Sequence, residues 1–237
     1  MKIFEKFSDF KKSHKDITIL YPGGFKPLTG AHIDIINRYL EHPKVKKTVL
    51  FISPSKREEI NAEDAYIIAK KLLNKKSVEI ILDKDSYSPI LACYRWIEKK
   101  ERTPGKYAMA ASTKGNDYKR VKEFTSKYNE KYKDNLGKGI EIVELPIDVN
   151  PLTKENGEPI SASEVREDIR NNDFKNFKTN YPNLNINDIK YIWNKLSKSK
   201  VEDIEEAGLE NFTISKGTSG YEEIYPSQKY KSHKNVY

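Results

Sequence analysis

The 237-residue sequence predicts an α/β fold, a five-stranded parallel sheet flanked by helices, and three observations carry that expectation. Short apolar runs recur at intervals of about thirty residues, the length of a strand plus its crossover helix. The stretches between them place apolar residues at helical spacing. Capping and turn-forming residues fall at the joins.

The strands are expected at ITILY from Ile17, TVLFI from Thr48, VEIIL from Val78, YAMAA from Tyr107 and IEIVEL from Ile140. After the first of them, AHIDIINRYL sets Ile33, Ile36 and Leu40 on one helix face and pairs Asp34 with Arg38 at i,i+4. A second helix opens at Asn61 as N-cap, carries Glu63 and Asp64 in its first turn and ends in Lys70 and Lys71, as the helix dipole favours. Helical patterns follow at 88–100 and 116–130, and the Asn156–Gly157 turn precedes a helix opening at Ser161. The segment NINDIKYIWNKLSK reads as an amphipathic helix burying Ile186, Ile189, Ile192, Trp193 and Leu196. From about Asn211 the chain turns to Gly, Ser, Lys and Tyr without period. The expected division is therefore an α/β domain over 1–170, a C-terminal helical extension over 171–210 and a tail or interaction arm over 211–237.

Hydrophobic residues make up 37% of the chain and charged residues 33%, a balance suited to a globular domain rather than a disordered one. No apolar run reaches the roughly 18–20 residues of a membrane span, and the amino terminus lacks the apolar core of a signal peptide. A cytoplasmic location is expected, with no membrane partner. Cys93 is the sole cysteine, which excludes an intrachain disulfide and a cysteine-rich metal site. Its setting, PILACYRWI, suits buried filler rather than a catalytic thiol. The net charge of +8 favours anionic partners. The charge alone leaves nucleic acid and phosphorylated small molecules both open; with no compact Lys/Arg block, nucleic acid is the less expected of the two.

The stretch YPGGFKPLTGAH closes the first strand and is the most informative in the chain. Gly23 and Gly24 allow a sharp turn and leave amides open to a phosphate, with Phe25 and Lys26 following. Thr29 is a natural N-cap, and His32 falls in the first helical turn on the same side. Hydroxyl and imidazole then converge on an anion at a helix N-terminus, or else serve as an ordinary cap. A second stretch, ISASEVR, also carries two readings. Ser161 and Glu164 form an S-x-x-E capping box, whereas Ser163, the helix amides and Arg166 one turn inward form a phosphate cradle. Polar loops after the second strand (SPSKREEINAEDA) and the fourth (ASTKGNDYKR) offer Lys56, Arg57 and Lys114 as cations, or simply solvated and capping residues.

GGFKPLTGAH resembles the (H/T)xGH signature of the nucleotidylyltransferase superfamily, and its opening is especially similar to phosphopantetheine adenylyltransferases. ISASEVR resembles that family's ISxSxxR motif, and the resemblance covers about residues 15–170. It implies a Rossmann-like, cytidylyltransferase-like domain that transfers AMP or CMP from ATP or CTP to a phosphorylated small molecule, releasing pyrophosphate. Thr29, His32, Lys26 and Arg166 would be catalytic. Gly23, Gly24, Phe25, Ser161 and Ser163 would bind nucleotide, and Lys56, Arg57 and Lys114 the acceptor phosphate. Magnesium (Mg2+) would arrive with the triphosphate, since no carboxylate cluster proposes itself as a cage.

Two positions depart from the family pattern. Ala31 replaces a usual glycine, adding a methyl beside the nucleotide, and Lys26 stands where an acidic or amide residue is frequent. GGFKP together with STKGND is also similar to nucleotidyltransferase-like proteins of large bacteriophages, which would place the chain in a host cytoplasm. The rival reading is a non-catalytic nucleotide-binding or structural protein that keeps the fold. Under either reading the tyrosine-bearing tail would dock a second copy or another chain, or remain solvated.

Overall fold

A computed structural model describes residues 15–110, 117–145 and 152–197. Five strands, β1 (Ile17–Gly23), β2 (Val45–Ile52), β3 (Val78–Leu82), β4 (Gly105–Met109) and β5 (Ile140–Ile142), form one sheet in the order β3-β2-β1-β4-β5. Every pairing is parallel. The architecture is thus the Rossmann-like α/β fold that the spacing of apolar runs predicts. β2 begins three residues ahead of its apolar run, at Val45. β5 is a short edge strand that ends at Ile142 although the apolar pattern continues.

The helices α1 (Gly30–Glu41), α2 (Ala62–Leu72), α3 (Pro89–Ile97) and α4 (Asp117–Ser126) cover the two faces of the sheet. Alternation along β2 assigns its residues: Leu50 and Ile52 pack with Ile33 and Ile36 of α1 and Ala65 and Ala69 of α2, while Val49 and Phe51 pack with α3 and α4. Cys93 lies fully buried on the α3 side, where burial pushes its thiol far up, in keeping with a filler role. In α1 the fully buried aromatic is Tyr39, and Leu40 is only partly covered. The Asp34–Arg38 pair forms at 2.8 Å. α4 runs on into a π-helical turn at Lys127–Lys131, so the helical pattern of 116–130 is met by two segments.

Three further helices follow: α5 (Ala162–Arg170), α6 (Phe174–Thr179) and α7 (Ile186–Leu196). α6 is one short helix that the sequence pattern did not announce. Its Phe174 and Phe177 meet Trp193 of α7 edge-on at 5.3 and 5.0 Å. Ile189, Ile192 and Trp193 are buried as expected, whereas Ile186 and Leu196 lie at the margin of the cluster. Ile68 of α2 and Val165 of α5 belong to the same cluster, so α7 packs on the sheet-bound layer. No helix among the described residues is long and apolar enough to cross a membrane. The tail over 211–237 lies outside the described residues.

Candidate functional site

In this strand order the chain leaves β1 for β2 and β3 on one side and reaches β4 and β5 on the other, so the order reverses between β1 and β4. Crevices beyond the carboxyl ends of strands at such a reversal are where open α/β sheets hold ligands. The loop Gly24–Thr29 leaves β1 at that point.

The loop is shaped differently from the sequence expectation. Neither Gly23 nor Gly24 has a positive φ; the left-handed residue is Phe25, at φ 48°. Phe25 is buried, its ring folded back over Gly23 and edge-on to both Tyr21 and His32 at 5.1 Å. A Cβ on Gly23 would sit 2.5 Å from the Phe25 ring, so this glycine makes room for an aromatic side chain. Gly24 is the open one. A Cβ there would meet nothing nearer than Arg57 Nη1 at 4.0 Å, which places the Arg57 guanidinium over bare backbone.

Thr29 caps α1, and His32 completes the box. The Thr29 N–H donates to His32 Nδ1 at 3.1 Å, Thr29 Oγ1 lies 2.8 Å from the same nitrogen, and the His32 N–H donates to Thr29 Oγ1 at 3.4 Å. The two side chains therefore meet each other rather than only a ligand. With the Thr29 amide donating to Nδ1, that nitrogen is an acceptor and the ring proton sits on Nε2. Burial pushes the imidazole down to about 4, so at neutral pH the ring is uncharged and offers one N–H donor.

Lys26 is buried, and its Nζ donates to the Ser53 carbonyl at the end of β2. Burial, then the nearby charge of Arg57, lowers its ammonium to about 8, with Glu63 acting weakly the other way. Crowding two cations at the end of the sheet is unfavourable unless an anion joins them. Lys56 lies exposed in the loop between β2 and α2, next to Arg57.

The second motif reaches this loop through Arg166, buried at 6% exposure. Its Nη1 donates to the Lys26 carbonyl at 3.0 Å and to the Ala162 carbonyl at 2.9 Å, and its Nη2 donates to Ser163 Oγ at 3.1 Å. Its Nε donates to Glu58 at 2.7 Å. Arg166 thus ties the two motifs together, and four of its donors already point at protein acceptors. Ser161 caps α5 by accepting from the Ser163 N–H at 3.2 Å. The reciprocal half of an S-x-x-E box is not what Glu164 makes: its carboxylate pairs with Lys154 at 3.3 Å.

Several participants were not among the sequence candidates. Glu58 bridges Arg166 and Arg170, and Asn180 closes the front of α1 with its backbone carbonyl, which accepts from the Gly30 N–H at 3.2 Å. Gly30 is needed at that contact, since a Cβ would lie 2.7 Å from the Asn180 carbonyl oxygen. The Asn180 amide in turn donates to Asp168 at 3.0 Å. Lys114, together with Ser112, Thr113 and Gly115, lies outside the described residues.

Residues 117–189 match the family model of the citrate lyase ligase C-terminal domain. The match takes in ISASEVR and runs past residue 170 into α7. No curated protein matches the chain. Among solved structures, the chain is similar to a Plasmodium falciparum nicotinic acid mononucleotide adenylyltransferase complexed with APC, at 16% identity and TM-score 0.42, covering 74% of this chain and 94% of that one. It is also similar to a Francisella tularensis bifunctional NMN adenylyltransferase/ADP ribose pyrophosphatase complexed with AMP and a manganese ion. That likeness has 15% identity and TM-score 0.39, covering 66% of this chain and 42% of the other.

Among the described residues, no group of three or more His, Cys, Asp or Glu is placed to hold a metal ion. The side chains of the described residues thus offer no protein-built magnesium cage.

Proposed function

We propose that the protein transfers a nucleotidyl group from ATP or CTP to a phosphorylated small molecule. The observation that carries the reading is the junction of the two motifs, Arg166 Nη1 on the Lys26 carbonyl at 3.0 Å across 140 residues. Along the same loop at the carboxyl end of β1 stand the imidazole of His32 against Phe25, the ammonium of Lys26 and, near Gly24, the guanidinium of Arg57. In the reaction an acceptor phosphate oxygen attacks the α-phosphorus, the bond from that phosphorus to the bridging oxygen breaks, and the electron pair leaves with pyrophosphate. No covalent intermediate on the protein is required. The protein's share is positioning and donors aimed at the oxygens that gain charge. His32 supplies a neutral donor there, Thr29 fixes its tautomer, and Lys26 and Arg57 balance the phosphates. Ser161 and Ser163 shape the start of α5 against the triphosphate, and Lys56 and Lys114 serve the acceptor.

Incubating the purified protein with each nucleoside triphosphate and a panel of phosphorylated acceptors, while measuring pyrophosphate, tests the reading. Release that needs both partners supports it; triphosphate binding without release from any pair refutes it. A second reading, nucleotide binding without turnover, is favoured by one observation, the occupation of Arg166 by protein acceptors. The same assay separates the two. Association through residues 211–237 is part of the proposal, and truncation after Leu209 is expected to lower the assembled mass while leaving nucleotide affinity intact.

A further inference from the structure

The loop between β2 and α2 folds into a tight hairpin, with the Arg57 and Ile60 backbones exchanging hydrogen bonds at 3.0 and 3.1 Å. Ile60 is buried and anchors one leg. Glu58 sits at the tip with φ 53°, a left-handed conformation that is uncommon for a residue with a side chain. From this tip its carboxylate spans to α5. One oxygen accepts from Arg166 Nε at 2.7 Å and the other from Arg170 Nη2 at 3.0 Å.

A carboxylate bridging two guanidiniums takes the seat that two oxygens of a phosphoryl group would take, since both anions are read by the same donor geometry. Arg166 is nearly buried, whereas the Glu58 side chain is 42% exposed and can leave into solvent. The arginine is fixed and the acid is the removable member. Arg57, on the hairpin's first leg, stands over Gly24 of the loop that follows β1.

We infer that Arg166 and Arg170 form a phosphoryl-binding seat that Glu58 fills in the ligand-free protein, and that an incoming polyphosphate binds by displacing the Arg57–Ile60 hairpin tip. Glu58 is then an internal competitor that lowers the site's affinity for anions, and Arg170 is a phosphate ligand released when Glu58 leaves. The inference rests on the proposed triphosphate site but not on turnover, because it is read with inorganic tripolyphosphate and no acceptor.

The test is calorimetric titration of the full chain with tripolyphosphate, comparing wild type, Glu58→Gln and the double variant Glu58→Gln/Arg170→Ala, with thermal unfolding to confirm that each is folded. Glu58→Gln keeps the side chain's shape while removing the competing charge. It is expected to bind about tenfold tighter than wild type, the scale of one charge-assisted contact, and the double variant to lose that gain. Hydrogen exchange at residues 57–60 is expected to quicken when tripolyphosphate binds the wild type. Equal or weaker binding by Glu58→Gln, including no binding by either protein, overturns the inference, as does a double variant that keeps the gain. Should Glu58→Gln destabilise the fold, Glu58→Ser serves as the second variant under the same outcomes. Absence of pyrophosphate release in the presence of acceptor, with the tripolyphosphate pattern as expected, would count against nucleotidyl transfer while leaving the seat intact.

Discussion

At the scale of single residues, His32 has two duties that can be separated. Its Nδ1 completes the cap of α1, and under the proposed reaction its Nε2 is the donor offered to a ligand. His32→Ala is therefore expected to lower stability by about 1 kcal/mol, the usual worth of a cap, as well as to abolish turnover. His32→Asn returns an acceptor near the position of Nδ1 without the distal donor. It is expected to keep most of the melting temperature while turnover falls about 10²–10³-fold, the usual effect of losing one preorganised donor. Acid sensitivity follows from the same residue. Unfolded, its imidazole takes up a proton near pH 6.5; folded, only near about 4. Between those values the unfolded state holds the extra proton, so its contribution to stability is full above 6.5 and is lost as pH falls toward 4. Lys26 sets the alkaline limb: with its ammonium lowered to about 8, kcat/KM is expected to decline as pH rises through that value. A profile flat to pH 9.5 would remove Lys26's charge from the mechanism.

At the scale of elements, β1 and β2 were legible because each carries a run rich in β-branched residues and largely buried on both faces, and the other strands because their apolar runs recur at the same spacing. The caps at Asn61 and Thr29 were legible for the same local reason, since the side chain and the amide it accepts from are three residues apart. What sequence could not reveal is what packing brings together. α6 is six residues long, too short to show a period, and is held by Phe174 and Phe177 against Trp193. Asn180 acts through its backbone carbonyl, which leaves no trace in residue type. Glu58 looked like one more acid in KREE until α5 placed two arginines against it across 108 and 112 residues. The Asn180 contact makes α6 and its following turn part of the motif's support. Gly30→Ala would force a Cβ to 2.7 Å from the Asn180 carbonyl oxygen and 3.2 Å from Tyr181 Cα. Because both neighbours are backbone, the strain is expected to cost about 1–3 kcal/mol in thermal or denaturant unfolding and to reduce turnover as well. An unchanged melting temperature would mean the α6–α7 turn yields freely.

At the scale of the whole molecule, the fold brings two motifs from opposite ends of the domain to the carboxyl end of the sheet. β1 delivers the GGFKPLTGAH loop, α5 delivers Arg166 to the carbonyl of Lys26, and the β2–α2 hairpin delivers Arg57 and Glu58 between them. Three cations, a neutral imidazole donor and one removable carboxylate then surround a loop at the topological switch point. Such a site suits an anion that carries several charges and exchanges them during reaction. The most direct measurement uses a nucleoside triphosphate labelled at its α-phosphate, presented with phosphorylated acceptors to the wild-type protein and to His32→Asn. With one triphosphate and acceptor the label is expected to move onto the acceptor as pyrophosphate leaves in equal amount, and His32→Asn is expected to lose this transfer while remaining folded. Label that stays on the triphosphate, or that is released to water regardless of acceptor, would contradict it.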